Sequence, residues 1–201
     1  MKISALMVPN PITVTDKASI GEAIQLMKVK SIRHLPVVSE TNELKGFVTL
    51  SDLKQGLIPS MVGDLTLKDL MITDPITVGP NDDVEVAAQL IYKYKIGGMP
   101  VVQKGKVVGI ITESDILRAF IDMMGILSSS SRIDVGIGDR PGALKKALQI
   151  IYENGGEIIS IGQASFKGKE RAFFFRLLPC KTAVLKKALE DSGYTVLETM
   201  D

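Results

Sequence analysis

The chain has 201 residues and a mass of 21.8 kDa, which is too long for one minimal domain and fits two or three small ones. Hydrophobic residues make up 45% and charged residues 23%, the balance of a folded globular chain, and the net charge of +1 offers no general basic surface to nucleic acid or anionic lipid. We expect neither a membrane span nor a secretory signal, because polar residues interrupt every apolar run and the N-terminal segment lacks a signal's apolar stretch. The single cysteine, Cys180, and the single histidine, His34, exclude an intrachain disulfide and any metal site built from several cysteines or histidines, so we expect a cytoplasmic, reducing environment.

A sequence repeat occupies most of the first 125 residues. Three segments recur in the same order, two at an offset of 64 residues and the third at 63: Met7–Val14 with Met71–Val78, Pro36–Val38 with Pro100–Val102, and Gly46–Asp52 with Gly109–Asp115. The one-residue difference falls in a predicted hairpin turn, where insertions and deletions are tolerated. The repeat predicts two units with the same fold.

Each copy of the repeat begins with a short strand and a helix. The β-branched segment Pro-Ile-Thr-Val is typical of a strand. Apolar residues at helical spacing follow it, namely Ile20, Ala23, Ile24 and Met27 in the first copy and Val84, Ala87, Ala88 and Ile91 in the second. Ser19 with Glu22 predicts a capping box at the first helix, and Asp83 occupies the cap position of the second.

Two further strands and a closing helix complete each copy, in the order β-α-β-β-α. The predicted strands are Leu35–Val38 with Phe47–Thr49, and Met99–Val102 with Val107–Ile111, and the closing helices begin near Ser51 and Ser114. A unit of about 50–60 residues has a thin core and would be only marginally stable alone. We therefore predict two domains, residues 1–60 and 61–125, that pack as one pseudo-twofold module around a shared core.

The remaining sequence predicts a flexible joint and a third domain. Ser128–Ser131 is a low-complexity stretch and marks a linker over residues 126–131. Residues 132–201 predict the order β-α-β-β-α-β, which is the ferredoxin-like split βαβ plan. The elements are Arg132–Ile137, a helical stripe from Leu144 to Ile151, the hairpin of Glu157–Phe166 with Arg171–Leu178, a helix over Thr182–Leu189, and a strand at Val196–Leu197. The fold class expected for the whole chain is α/β (α+β).

The motif Thr-x-x-Asp stands at a predicted strand-to-helix junction in both copies, as Thr49 with Asp52 and Thr112 with Asp115. Such a junction directs backbone N–H groups and the positive end of the helix at one point, which suits a phosphate. The threonine hydroxyl would add a hydrogen bond to that phosphate. The aspartate, one helical turn onward, would accept hydrogen bonds from both hydroxyls of a ribose.

The same motif has a purely structural interpretation. Thr-x-x-Asp is also a helix-capping arrangement, which stabilises a helix by about 1 kcal/mol. Two copies, each beside a Pro-Val-Val strand, favour the ligand-binding interpretation, in which Phe47 and Ile110 flank an adenine ring. Both interpretations stay open.

The two halves resemble cystathionine-β-synthase-type (CBS) domains, paired as in a Bateman module. The resemblance is carried by Met-x-x-x-Pro-Ile-Thr-Val, Pro-Val-Val and the glycine-led Thr-x-x-Asp segment, each present twice. CBS pairs commonly bind adenosine nucleotides or related adenosyl ligands between their halves, so the resemblance implies AMP, ADP, ATP or S-adenosylmethionine as the ligand. It assigns the ribose to Asp52 and Asp115, the phosphate to Thr49 and Thr112, and the lining of the clefts to Thr13 and Thr77.

One segment differs between the two copies. Ile32–Pro36 contains Arg33 and His34, and it resembles the segment in which family members place basic residues near phosphate. Its counterpart, Ile96–Pro100, has no basic side chain. The resemblance therefore implies one competent cleft and one weak or empty cleft. The alternative is that Arg33 and His34 are solvated or capping surface residues.

The C-terminal unit resembles an ACT domain. Asp139–Leu144 lies between its first strand and first helix, and Asn154–Ile159 precedes its second strand. ACT domains pair through strands or helices and bind small molecules, often amino acids, at the interface. The resemblance implies a site for an amino acid or another small carboxylate at the start of the helix, formed by Asp139, Gly142, Ala143 and Leu144. The alternative is a unit that only dimerises, with this segment acting as a turn and cap.

Candidate catalytic residues are few. His34 has no serine or cysteine partner at motif spacing, which argues against a hydrolytic triad, and we assign no catalytic or metal-binding residue. The sequence has neither a P-loop nor a dinucleotide-binding glycine pattern. Cys180 is interpreted as a small apolar filler, and Lys167, Lys169 and Arg171 as a solvated hairpin tip.

These patterns predict a regulatory sensor rather than an enzyme. An adenosine-type ligand in the CBS pair would change how the halves pack and would pass that change to the ACT unit or to a partner. A CBS pair followed by an ACT domain is similar to the acetoin-utilisation accessory proteins of bacteria. We expect a homodimer, with no cofactor and no nucleic-acid or membrane partner. Two alternatives stay open: a ligand-free dimerisation or interaction module, and a nucleotide-using enzyme.

Overall fold

The computed structural model describes residues 1–55, 66–138, 140–166 and 170–201. They form two compact units, Met1–Leu117 and Arg118–Asp201. Within these ranges, no helix combines the length and the apolar character needed to cross a lipid bilayer.

The first unit contains both copies of the repeat. Its first half consists of a 3-10 turn (Ile3–Ala5), β1 (Val8–Pro9), β2 (Val14–Thr15), α1 (Ile20–Lys30), β3 (His34–Val38), β4 (Leu44–Thr49) and α2 (Leu50–Gln55). Its second half consists of α3 (Leu67–Leu70), α4 (Val84–Tyr94), β5 (Gly98–Gln103), β6 (Lys106–Thr112) and the beginning of α5 (Glu113–Met124). The mixed α/β class predicted from the sequence is confirmed.

The two long helices of this unit begin differently. At α1, the Ser19 hydroxyl accepts a hydrogen bond from the Glu22 N–H at 3.1 Å, and the Glu22 carboxylate accepts one from the Ser19 N–H at 2.8 Å. The predicted capping box is therefore confirmed. At α4, Asp83 holds the cap position but its side chain makes no capping hydrogen bond. The predicted cap position of Asp83 is therefore confirmed, but its carboxylate pairs with Lys2 at 2.9 Å instead of capping the helix.

The two halves exchange short segments at their sheets. β3 pairs with β2 in parallel and with β4 antiparallel, and β5 pairs antiparallel with β6. β1 opens the first repeat but pairs with β6 of the second half, with Val8 opposite Ile110. The equivalent segment of the second repeat pairs with β4, where Phe47 and Ile72 exchange two backbone hydrogen bonds of 2.9 Å. The exchange is reciprocal, as a pseudo-twofold module requires.

The described residues of this unit form two hydrophobic clusters rather than the one shared core expected. The first-half cluster comprises Ile20, Ala23, Ile24, Met27, Leu35, Val37, Val48, Leu53 and Leu67. The second-half cluster comprises Ile3, Val78, Ala87, Met99, Val101 and Ile111. Leu67 and Ile3 are both fully buried, and each comes from a segment that precedes the opposite repeat. Segment exchange therefore joins the halves in place of a common core.

The second unit has the element order β-α-β-β-α-β that the sequence predicts. After the end of α5 it contains β7 (Ser131–Gly136), α6 (Ala143–Glu153), β8 (Ile158–Phe166), β9 (Glu170–Leu177), α7 (Thr182–Asp191) and β10 (Thr195–Met200). The four strands form one antiparallel sheet in the order β10-β7-β9-β8. Both helices pack on one face of this sheet around Phe175, Leu177 and Leu185.

The predicted serine joint is partly built into the second unit. Ser131 is the first residue of β7 and is buried; its hydroxyl donates to the carbonyl of Cys180 and accepts from the N–H of the same residue, both at 2.9 Å. Ser130 accepts a hydrogen bond from Arg176 at 2.7 Å. Including Ser131 in a flexible linker is therefore wrong, because its hydroxyl ties the start of the sheet to Cys180. Cys180 itself is half-buried and packs against the core of the second unit.

Candidate functional site

The Thr-x-x-Asp motifs lie at the two strand-to-helix junctions predicted for them. Thr49 ends β4 and Asp52 lies in the first turn of α2, while Thr112 ends β6 and Asp115 lies in the first turn of α5. All four residues are half-buried. The repeat therefore places two equivalent threonine–aspartate pairs in the first unit.

Each threonine–aspartate pair forms a capping box. The Thr49 hydroxyl donates to Asp52 Oδ2 at 2.7 Å, the Thr49 N–H donates to the same oxygen at 3.1 Å, and the Asp52 N–H donates back at 3.3 Å. The second junction repeats these bonds with lengths of 2.7, 2.8 and 3.4 Å between Thr112 and Asp115. The structural role of the motif is thus present at both sites. Among the described residues, the Oδ1 atom of each aspartate accepts no hydrogen bond.

Most backbone N–H groups at the junctions already have partners within the protein. The Leu50 N–H donates to the Arg33 carbonyl at 2.9 Å, and the Glu113 N–H donates to the Gly97 carbonyl at 3.1 Å. The threonine N–H groups are bound by the aspartates. A phosphate therefore meets fewer free backbone donors here than a helix N-terminus ordinarily offers. Basic side chains are the stronger candidates for binding it.

A third capping box of the same kind lies outside both junctions. Thr66, just before α3, donates to Asp69 Oδ2 from its N–H at 2.8 Å and from its hydroxyl at 2.6 Å. Both residues are exposed and line none of the cavities described below. This pair was not predicted, although its Thr-x-x-Asp spacing was the available signal. Asp69 therefore provides a matched control for the other two aspartates.

The larger cavity of the first unit is the Asp52 cleft, with a volume of about 790 Å³. Its polar lining includes Thr49 and Asp52 from the first half and Asp74, Lys95 and Glu113 from the second. The other lining residues are Arg33, His34, Phe47, Leu50, Ser51, Lys54, Ile72, Pro75, Ile76, Ile96, Gly97 and Gly98. The cleft therefore lies between the two copies of the repeat and carries charges of both signs.

The second cavity, the Asp115 cleft, is smaller at about 330 Å³. Thr112, Ser114 and Asp115 line it from the second half, together with Ile110. The first half contributes Val8, Asn10, Pro11, Ile12, Ser31, Ile32, Arg33 and His34. The two clefts thus use equivalent parts of the repeat, but they differ more than twofold in volume.

Arg33 and His34 line both clefts, whereas the resemblance implied basic residues in only one. The ring of His34 is half-buried and stacks on Phe47, with ring centroids 5.9 Å apart. Burial, and then the neighbouring Arg33 charge, lower the pKa of His34, while the carboxylates of Glu113 and Asp52 act in the opposite direction. The imidazole is therefore neutral near pH 7. That the clefts bind unequally stays a prediction, and their volumes supply a second reason for it.

Some predicted cleft residues lie elsewhere. Thr13 and Thr77 line neither cavity; the residues just before them, Ile12 and Ile76, do so instead. Phe47 and Ile110, expected beside an adenine ring, line the Asp52 cleft and the Asp115 cleft respectively. Four charged residues of the Asp52 cleft were not predicted: Lys54, Asp74, Lys95 and Glu113. The last three belong to the other half of the unit and reach the cleft through tertiary packing.

Only some of the residues predicted to bind a ligand in the second unit line a cavity. Gly142 caps α6 with a left-handed φ of 78°, and Gly142 and Ala143 line a cavity of about 320 Å³. Leu144 is not among the residues lining that cavity and packs against the core, and its role in ligand binding stays a prediction. Asp139 lies outside the described residues. Two basic residues that the prediction omitted, Arg140 and Lys146, line the same cavity.

The sequence matches a known domain family twice. The family model for the CBS domain matches residues 3–58 and 67–122. A homoserine O-acetyltransferase of Methanocorpusculum labreanum is 38% identical over 114 residues, which are 56% of this chain and 23% of that enzyme. The chain thus spans about a quarter of the length of this curated relative.

Solved structures of CBS pairs resemble the chain over about three fifths of its length. The CBS domain pair of protein MJ0100, in complex with 5'-methylthioadenosine and S-adenosyl-L-methionine, is 33% identical with a TM-score of 0.56, over 60% of this chain and 95% of that one. A putative acetoin utilization protein (AcuB) from Vibrio cholerae is 32% identical with a TM-score of 0.59, over 64% and 98%. CBSX2 in complex with AMP is 30% identical with a TM-score of 0.54, over 60% and 96%.

Proposed function

Because the chain belongs to the CBS domain family, we propose that it is a regulatory module that binds an adenosine-type ligand, AMP, ADP, ATP or S-adenosylmethionine, in the clefts of its first unit. One observation supports this more than any other: Asp52 and Asp115 line separate clefts at equivalent positions of the repeat. Each aspartate keeps one carboxylate oxygen outside its capping bonds, which leaves an acceptor for a ribose hydroxyl.

The Asp52 cleft has the chemistry that a nucleotide needs. Its volume of about 790 Å³ falls within the usual range for small-molecule sites. Phe47 provides an apolar wall for a base, and Asp52 an acceptor for the ribose. Arg33 and Lys95 provide cations for phosphate. Solved CBS pairs that carry AMP or S-adenosyl-L-methionine support the adenosine-type ligand.

The regulatory role follows from where the clefts lie. Both are lined by residues of both halves, so a bound ligand contacts both copies of the repeat. A ligand that binds one arrangement of the halves more tightly shifts the population toward it. We therefore propose a sensor rather than an enzyme, acting in the cytoplasm, whose bound state is read by the second unit or by a partner.

The second unit is proposed to be an ACT domain that takes part in dimerisation. Its β-α-β-β-α-β order and its sheet order support this assignment. β8 is an edge strand nine residues long, and its exposed side chains include Ile158, Ile159 and Ile161. An exposed apolar edge of this kind favours pairing with a second copy. Arg140 and Lys146 line a separate cavity at the start of α6 and suit a small carboxylate such as an amino acid.

The proposal is tested by titrating the purified chain with AMP, ADP, ATP and S-adenosylmethionine in a calorimeter. A micromolar ligand corresponds to about −8 kcal/mol and gives a clear signal. Asp52→Ala and Asp115→Ala should each weaken binding at their own cleft by about tenfold or more, because a charged hydrogen-bond acceptor is lost. The native mass of the protein as purified checks for a retained ligand and counts the subunits.

Asp69→Ala is the matched control for these variants. It removes the same capping hydrogen bonds, outside the clefts, so all three variants should lose about 1 kcal/mol of stability. Only the two cleft variants should lose affinity. Unchanged affinity in Asp52→Ala and Asp115→Ala, with melting losses like that of Asp69→Ala, contradicts the ligand-binding role.

A ligand-free interaction module is the second candidate function. The observation that favours it is that both Thr-x-x-Asp motifs form complete capping boxes without any ligand. In that case none of the four adenosine compounds gives heat or raises the melting temperature, while the chain still assembles.

A further inference from the structure

Two neighbouring side chains are common to both clefts. Among the described lining residues, Arg33 and His34 alone contact both the Asp52 cleft and the Asp115 cleft. We call this pair the Arg33–His34 wall. Two ligand sites that share a wall cannot be filled independently if both ligands need the same side chain.

The Arg33–His34 wall comes from a difference between the two copies of the repeat, because only the first copy has side chains at these two positions. Arg33 and His34 align with Gly97 and Gly98. A Cβ atom on Gly97 would lie 2.9 Å from His34 Nε2, so the imidazole occupies space that a side chain at position 97 would need. Stacking on Phe47 holds the ring there. The difference between the repeats therefore removes a second set of basic residues and gives both clefts the same one.

We propose that the Arg33–His34 wall couples the two clefts negatively, so that a phosphate-bearing ligand in one cleft lowers the affinity of the other cleft for a second such ligand. This inference rests on the proposed function. Arg33 carries most of it, because its side chain is exposed and forms no ion pair with another described residue. A guanidinium that binds a phosphate with two hydrogen bonds in one cleft is no longer available to the other.

His34 adds to the same effect. A neutral imidazole has one N–H donor and one acceptor nitrogen, so it donates a hydrogen bond to a phosphate in only one cleft at a time. The ring is confined by Phe47 and by the close approach of Gly97, which leaves it little freedom to serve both sites. Two phosphates on either side of one wall also repel each other electrostatically. All three contributions have the same sign.

The coupling is measured with AMP and adenosine by calorimetry on the full chain. Asp52→Ala weakens the Asp52 cleft and Asp115→Ala weakens the Asp115 cleft, so at AMP concentrations too low to fill the weakened cleft each variant gives the intrinsic affinity of the unaltered cleft. In the unaltered chain, the second AMP should bind at least about fivefold more weakly than the intrinsic affinity of that cleft, the lower end of usual coupling between sites. Adenosine, which lacks a phosphate, should show no such weakening.

Arg33→Gln tests whether the wall transmits the effect. This variant keeps a polar side chain but removes the charge, so it should weaken both AMP sites and remove most of the coupling. Melting temperatures, compared with that of Asp69→Ala, show whether each variant is folded.

Three results overturn the coupling while the proposed function stands. They are a second AMP bound at its intrinsic affinity, equal weakening with adenosine, and a variant of either aspartate that binds no AMP at all. If AMP binds neither the unaltered chain nor any variant, the proposed function itself fails, and with it the coupling.

Discussion

Gly46 and Gly109 hold equivalent positions in β4 and β6, and each lies against a methionine of the exchanged segment. A Cβ atom on Gly46 would lie 2.6 Å from Met71 Sδ and 3.0 Å from the Ile72 carbonyl oxygen. One on Gly109 would meet Met7 Sδ and would lie 3.2 Å from the Val8 carbonyl oxygen. We expect Gly46→Ala and Gly109→Ala each to destabilise the protein by about 1–3 kcal/mol, because backbone lies behind the side chain and cannot move aside cheaply. Chemical denaturation measures the change.

Gly21→Ala is the control for those two substitutions. Gly21 lies in α1, and the nearest atom to an added Cβ is Ser19 Oγ at 4.0 Å. Alanine is the better helix former, so this variant should be more stable by up to about 1 kcal/mol. If all three variants behave alike, the close approach of the exchanged segments does not limit these positions.

His34 predicts a pH dependence of stability. Burial and the Arg33 charge hold its folded-state pKa below the ordinary value of 6.5. As the pH falls below about 6.5, the unfolded chain takes up the proton first, so stability decreases until the pH reaches the folded-state pKa. His34→Gln should lose this part of the pH dependence. The measurement is the free energy of unfolding of both proteins between pH 7.5 and pH 5, and equal slopes would contradict the assignment.

At the scale of the elements, the sequence predicts best where a periodic pattern is long. The two closing helices begin at Leu50 and Glu113, each one residue before its predicted start, because strand and helix patterns meet there without a loop. Strand β1 was not predictable, and neither was its pairing. β1 has two residues, too few for any periodicity, and its pairing with β6 depends on the arrangement of the two halves.

Only part of the candidate site could be predicted from the sequence. Asp52 and Asp115 were identifiable because a motif fixes them to a strand end, and both line clefts. Lys95 was not identifiable, because it reaches the Asp52 cleft from the end of a helix in the other half. Thr13 lies in the recurring motif, yet the chain passes the cleft at the preceding residue. Motifs fix local geometry, whereas the partners across a cleft are set by the tertiary fold.

Strand β7 shows a further limit of sequence patterns. Its alternation predicts Ile133 and Val135 in the core, and both are buried as expected. The same alternation predicts that Asp134 lies on the polar, exposed face of the strand, yet Asp134 is only 4% exposed. Arg132 lies 3.0 Å from its carboxylate but is not aligned for a hydrogen bond. Burial is the strongest influence on the carboxyl and raises the pKa of Asp134 despite that neighbour.

At the scale of the whole first unit, segment exchange explains how two small clusters make one stable body. Each half alone would lack one fully buried residue of its own cluster, Leu67 for the first half and Ile3 for the second. Half-units of this size bury little apolar surface, so the exchanged residues contribute a large share of their stability. The clefts lie between the same two halves, which means that ligand binding and half-to-half packing involve the same part of the molecule.

The two exchanged residues give a prediction for the whole first unit. Ile3→Ala and Leu67→Ala should each cost about 2–5 kcal/mol, because each leaves a cavity where a side chain without solvent access was removed. If the halves unfold together, hydrogen exchange should show equal loss of protection in α1 and α4 for both variants, although each substitution touches only one cluster. Val29→Ala, at a position 65% exposed, should change neither stability nor protection by more than about 0.5 kcal/mol. Loss of protection confined to α4 in Ile3→Ala and to α1 in Leu67→Ala would show that the halves unfold separately, so that exchange positions them without making them one cooperative unit.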